Sequence, residues 1–168
     1  MRIYLPATFS LLKKCAEDGE FPAQGGWAFA LTAALRDYFE SGEEEEIEMI
    51  AFDSAAEASL RLLAAGDSEL PHRRVVISAD VPEAHCTPDP EMGEPVIKLD
   101  PAVIQVRDFA AIHMDVADAE EATAKAIELI DAADLGDEDA ELAVGDAQDN
   151  LMAYYDADEL NALVQLSN

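Results

Sequence analysis

The sequence predicts an α+β fold: a mixed, mostly antiparallel sheet with helices mainly on one face. Three observations lead there. One long helical signal runs from about Glu43 to Ala65. The stretch Arg73–Val81, reading RRVVISADV, is apolar and β-branched, as a central strand requires. Finally, strand and helix signals neither alternate strictly nor segregate along the chain, as they would in a doubly wound fold or in separate α and β domains.

Taken in order, Arg2–Leu5 alternates and then meets Pro6, which predicts a short strand. Thr8 can cap a helix over Phe9–Asp18, with Phe9, Leu12, Cys15 and Ala16 on one face and Gly19 at its end. Glu20–Gly26 reads as a loop, lacking the Gly-Lys-Ser/Thr of a phosphate-binding loop. Trp27–Leu31 reads as a strand with Trp27, Phe29 and Leu31 on one face and alanines on the other, Trp27 being expected in the core. Thr32 can cap a short helix to about Glu40.

The long helix follows. Ser41 and Glu44 have capping-box spacing, and the glutamates after Gly42 suit the positive end of the helix dipole. Ile47, Ile50, Ala51, Ala55, Ala58, Leu62 and Ala65 predict one apolar stripe, and Gly66 a left-handed stop. About 23 residues at roughly 1.5 Å each give about 35 Å, enough to cross a small domain. This helix is expected to be the scaffold on which the strands at Trp27 and Arg73 pack.

Pro82–Pro95 is rich in proline and acid and reads as a loop without regular structure. Val96–Leu99 predicts a strand, and Val103–Val106 a short strand or extended connection. Ala110–Val116 alternates, with Ile112, Met114 and Val116 on one face and His113 and Asp115 on the other. Asp118 can cap a helix to about Ala133 that buries Ala119, Ala122, Ala126, Ile127 and Ile130. Leu135–Asp149 is acidic and poorly periodic, with a helical signal only at Glu138–Val144, and is a candidate mobile segment. Asn150–Tyr155 reads as a strand and Asp158–Leu166 as a last helix.

The length, 168 residues, suits a single domain spanning 1–168 that needs neither metal nor disulfide to fold. Two cysteines, Cys15 and Cys86, and no secretory h-region point to the cytoplasm. No run of about 18 apolar residues exists to span a membrane. The net charge of −27 comes from 37 acidic against 10 basic residues, and it disfavours direct binding to nucleic acid or an anionic membrane. Between Asp115 and Glu159 there are 16 acidic residues and one lysine, so the C-terminal third is the acidic end.

The segments Arg2–Thr8 (RIYLPAT), Thr32–Arg36 (TAALR), Arg73–Pro82 (RRVVISADVP), Ile112–Asp115 (IHMD), Tyr154–Asp156 and Glu159–Leu160 resemble a family of small actinobacterial cytosolic proteins. The resemblance covers most of the chain. It implies a cytosolic bacterial protein, and no activity or catalytic residue comes with it.

The candidate chemistry rests on few groups. His113 and Asp115 project from one strand face, and they can supply two metal ligands, or a carboxylate that orients an imidazole. A third partner has to come from elsewhere, such as Asp80 or His85. The bland reading is a solvated strand face with a local ion pair. Glu83, His85 and Cys86 form a second candidate metal set in the 82–95 loop. Asp137-Glu138-Asp139 fails as a calcium loop, because Leu142 stands where the glycine belongs. Arg2, Arg36, Arg61, Arg73, Arg74 and Arg107 can converge on an anionic ligand or compensate nearby carboxylates.

No hydrolase elbow, zinc Cys-x-x-Cys, kinase or dinucleotide motif is present, and no cofactor is expected. The sequence therefore reads as a non-enzymatic protein-binding or regulatory module. A basic protein is its expected partner, and a homodimer is plausible. The alternatives are a small metal-dependent hydrolase, or an anionic-ligand sensor using the His113/Asp115 strand face and the 82–95 loop.

Overall fold

The first strand, β1 (Arg2–Ala7), runs through Pro6 instead of ending there. In the computed structural model, which describes residues 1–39, 41–66 and 71–166, only the pair Tyr4–Phe29 joins β1 to β3 (Trp27–Phe29). Pro6 lies beyond that pair, with a ladder on one side only, the edge-like setting in which a missing N–H is tolerated.

The other strands are β2 (Glu20–Pro22), β4 (Val75–Asp80), β5 (Cys86–Pro88), β6 (Val96–Leu99), β7 (Val103–Gln105), β8 (Phe109–Asp115) and β9 (Met152–Asp156). Seven of the nine strands among the described residues form one antiparallel sheet in the order β5-β6-β3-β1-β4-β8-β9, and β2 pairs with β7 in a small second sheet. The helices are α1 (Phe9–Asp18), α2 (Ala33–Tyr38), α3 (Glu44–Ala64), α4 (Glu120–Asp134), α5 (Glu138–Gln148) and α6 (Leu160–Leu166). The architecture is thus α+β with a mostly antiparallel sheet, as the sequence predicts. No helix among the described residues is long and apolar enough to cross a membrane.

Strand alternation divides the sheet into two faces. Ile3, Leu5, Val75, Ile77, Ile112 and Met114 point towards α1 and α6 and form the main core. Tyr4 and Val76 point the other way, towards α2 and α3. A third cluster joins Leu60 of α3 to Ala126 and Ile130 of α4 and Ala147 of α5. The three longest helices therefore share a face.

Caps account for several boundaries. Thr8 accepts a hydrogen bond from the N–H of Leu11, and Thr32 from that of Leu35, fixing the starts of α1 and α2. Gly19 ends α1 in the left-handed region at φ 75°. Asp137 caps α5 by accepting from the N–H of Ala140.

Several expectations need correction. Glu43, not Ser41, is the N-cap of α3, and it makes no side-chain cap bond. The dipole-favoured acids Glu44, Glu45 and Glu46 start that helix without a capping box. Its buried residues are Ile47, Ala51, Ala55, Ala56, Ser59, Leu60 and Leu63, so Ala58, Leu62 and Ala65 are not on the packed face. The expected loop at 20–26 contains β2, which takes its register from the distant β7. The 82–95 loop contains β5, an edge strand whose Pro88 is tolerated there. Trp27 is only partly buried, while Ala28 and Ala30 take the core side of that segment.

Val116 lies outside β8 and is exposed. Asp118 sits inside a 3₁₀ turn before α4 instead of capping it. The expected helix to Glu40 ends at Tyr38, and Glu40 itself lies outside the described residues. The acidic segment after Leu135 holds a full helix, α5, longer than the expected Glu138–Val144, because Ala140, Ala143 and Ala147 give it a packed side of small residues.

Candidate functional site

Four neighbouring strands bring Tyr4, Ser78, His113 and Tyr154 onto one face of the sheet, below α3. The register does this directly: Tyr4 pairs with Ser78 across β1–β4, and His113 with Tyr154 across β8–β9. A register shift between Ser78 and Ala79 makes Ala110 the extra residue of β8, a bulge of the kind that re-aims side chains beside a site. Above this floor stand Glu45, Glu48, Met49, Phe52 and Asp53 of α3, and the turn Gln148–Leu151 closes one end. The result is a cleft of about 760 Å³, within the range of roughly 300–1,000 Å³ usual for small-molecule sites.

Aromatic rings line its length. Tyr4 meets Phe52 edge-on at 5.8 Å between ring centres, Phe52 meets His113 at 4.8 Å, and His113 meets Tyr154 at 5.6 Å. Met49, Leu151 and Tyr154 line the same cleft, yet they are 55%, 87% and 65% exposed. Apolar surface left open around a concavity is the usual mark of a binding site.

His113 is held in place by one hydrogen bond and by the Phe52 and Tyr154 rings that flank it. Its Nε2 lies 2.9 Å from Ser78 Oγ. Burial, helped by the positive charge of Arg2, pushes its pKa down to about 4, so the imidazole is neutral at pH 7. The Tyr4 hydroxyl donates to Glu48 Oε1 at 2.7 Å, and burial followed by that bond raises its pKa. Asp53 has its pKa raised by burial, an effect partly offset by Arg74.

Asp115 shares the strand face of His113 but does other work. Its Oδ1 accepts from Arg74 Nη2 at 2.7 Å, and its Oδ2 accepts from Arg74 Nε at 3.0 Å and from the Arg74 backbone N–H at 2.8 Å. Thr123 adds a fourth donor at 3.3 Å. Both charged side chains are almost wholly buried. The rest of the guanidinium donates to Gln148 Oε1 and to the carbonyl of Asn150, so Arg74 ties β4, β8 and the α5–β9 turn together beneath the cleft.

The other sequence-derived candidates lie elsewhere. Glu83 and His85 occupy a 3₁₀ turn and Cys86 opens β5, and none of the three lines the cleft. Four strands separate β5 from β8. Asp80, the suggested third partner, pairs with Arg2 at 2.7 Å, and the hydrogen bond from that guanidinium lowers its pKa. Among the described residues no group of three His, Cys, Asp or Glu side chains could hold a metal. Arg36, Arg61 and Arg73 are paired with Glu44, with Glu57 and Asp134, and with Glu120 respectively. Sequence reasoning missed Phe52, Ser78 and Tyr154 as site residues. The available signal was parity: Ser78 and Tyr154 lie on the strand faces opposite the apolar sets.

No curated protein and no solved structure matches the chain. A family model extends over nearly all of it: the chain belongs to a family of unknown function (DUF6912), matched over residues 1–164.

Proposed function

We propose that the protein is a non-enzymatic binding module of a regulatory kind, and that its working surface is the cleft between α3 and strands β8 and β9. The observation that carries this reading is the exposed apolar lining of Met49, Leu151 and Tyr154 around a concavity of small-molecule size. The polar groups in the cleft support binding over catalysis. His113 is hydrogen-bonded to Ser78, and the carboxylate that sequence spacing offers as its partner is engaged by Arg74. The imidazole–carboxylate pairing that the sequence spacing offers requires the carboxylate to lie free within hydrogen-bond reach of the ring. The hydrolase alternative also needs His85, Glu83 or Cys86 near His113, and the sheet order sets them apart.

A thermal-shift screen tests the proposal, because a ligand that binds only the folded chain raises its melting temperature by mass action. The screen covers metabolites of both charges, neutral aromatics and divalent metals. At least one organic class is expected to raise Tm in the wild type and to fail with Met49→Trp, which narrows the cleft from its exposed rim and leaves the buried face of α3 intact. If no class shifts Tm, or if the shifts survive the narrowed cleft, the proposal is lost.

A further inference from the structure

The charges around the cleft identify what it takes. Arg2 and Arg74 both line it, and each is already matched by a carboxylate of its own, Asp80 and Asp115. The Arg74 guanidinium spends its donors on Asp115, Gln148 and Asn150. An anion entering the cleft would find few free donors.

The lining carboxylates are in the opposite condition. Glu45, Glu48, Asp53 and Asp149 line the cleft, and among the described residues none of them forms a salt bridge. Glu48 accepts one bond from Tyr4, which leaves its second oxygen available. Beside these carboxylates runs the row of rings Tyr4, Phe52, His113 and Tyr154, whose electron-rich faces attract cations. The whole chain carries −27, so its field concentrates cations at such a site.

Resting on the reading of the cleft as a binding site, we infer that its ligand is an organic cation: an ammonium group on an apolar body. The ammonium sits against Phe52 and Tyr154 with Asp53 and Glu48 as counter-charges, and the body lies along Met49 and Leu151. The neutral state of His113 suits this arrangement, since a charged imidazole in the middle of the ring row would repel the ligand. This is the reverse of an anion sensor built on converging arginines.

Choline and its uncharged isostere 3,3-dimethylbutan-1-ol separate charge from shape. Both are titrated into the full chain and followed by amide chemical shifts, which read weak binding and report where it occurs. Choline is expected to perturb residues of α3, β8 and β9 and to bind at least ~10-fold more tightly than the isostere. Its affinity is expected to fall as salt is raised, and to fall about tenfold in Asp53→Asn and in Tyr154→Leu. Both sites are exposed enough for these variants to fold, and a Tm within a few degrees of wild type verifies it.

Equal binding of the two probes, or unchanged choline affinity in Asp53→Asn, overturns the cation inference while leaving a cleft that binds neutral ligands. Binding of neither probe, with a hit of another class from the wider screen, also overturns it and again spares the cleft. Only the absence of any cleft ligand removes both.

Discussion

Asp115 and His113 are two residues apart on one strand, and the environments given to them differ completely. Asp115 and Arg74 are both removed from water, and their attraction, with the added bonds from Thr123 and the backbone of Arg74, offsets the desolvation. Removing one partner strands the other. Asp115→Asn is expected to cost about 3–5 kcal/mol in urea unfolding, while a double variant with Arg74→Met should cost clearly less than the sum of the two singles. Additive costs would show that the pair is not coupled. His113 supplies a pH dependence. Its folded pKa is about 4 against an ordinary value of 6.5, so the unfolded chain binds more protons between those two values. The stability tied to the neutral imidazole is therefore complete above pH 6.5 and is lost as the pH falls towards 4. Carboxylates titrate in the same range, so the informative quantity is the difference from His113→Gln. The wild type should lose more stability than the variant between pH 6.5 and 4, and parallel curves would show that the imidazole is not desolvated.

At the scale of an element, α3 shows where sequence periodicity stops being informative. A stripe drawn at spacings of three and four assumes one packing partner along the whole helix. Here the first half, with Ile47, Ala51 and Ala55, lies on the sheet, while Leu60 packs into the cluster with α4 and α5. Successive steps of four rotate the contact line around the helix, so the second half buries Leu60 and Leu63 in place of Leu62. Ser59 sits at the change of partner. Its hydroxyl donates to the carbonyl of Ala7 at 2.7 Å and accepts from the N–H of Val75 at 2.9 Å, tying α3 to the ends of β1 and β4. A fully buried serine satisfied by backbone at distances of 52 and 16 residues leaves no local sequence signal. Leu60→Ala is expected to cost about 2–5 kcal/mol, with Leu62→Ala costing less, as read from denaturant midpoints at unchanged m-value. The reverse order would restore the straight stripe. By the same logic, local features were legible: Thr8, Thr32 and Gly19 mark helix ends through bonds within a few residues, and the alternation of β8 identified the His113 face. The cleft as a whole was not legible: parity marks the outward faces of Ser78 and Tyr154, but only long-range strand pairing and the packing of α3 bring Phe52, Ser78 and Tyr154 around His113.

Across the whole molecule, the charge is uneven in a way that ties stability to ionic strength. Helices α4 and α5 pack through Ala126, Ile130 and Ala147 with Leu60, and alanines allow close approach. The outer faces of the two helices carry many exposed acids, including Glu128, Asp131, Asp139, Glu141 and Asp146. Compensation there is sparse: Arg61 reaches Asp134 and Arg73 reaches Glu120. Salt screens both the attractions and the repulsions. Exposed pairs such as Arg61–Asp134 contribute little, so the many unpaired like charges decide the sign. Raising NaCl from low concentration to about 0.5 M, where the screening length falls to a few ångströms, should therefore raise Tm. Asp131 and Asp146 lie near the C-terminal ends of α4 and α5, where the helix dipole also disfavours negative charge. The pair of substitutions Asp131→Lys and Asp146→Lys should raise Tm at low salt and flatten its salt dependence. A wild-type Tm indifferent to salt would mean that the acidic third is not under strain. A steep salt dependence that survives the double substitution would place the repulsion elsewhere, with the four carboxylates of the cleft as the next source to remove.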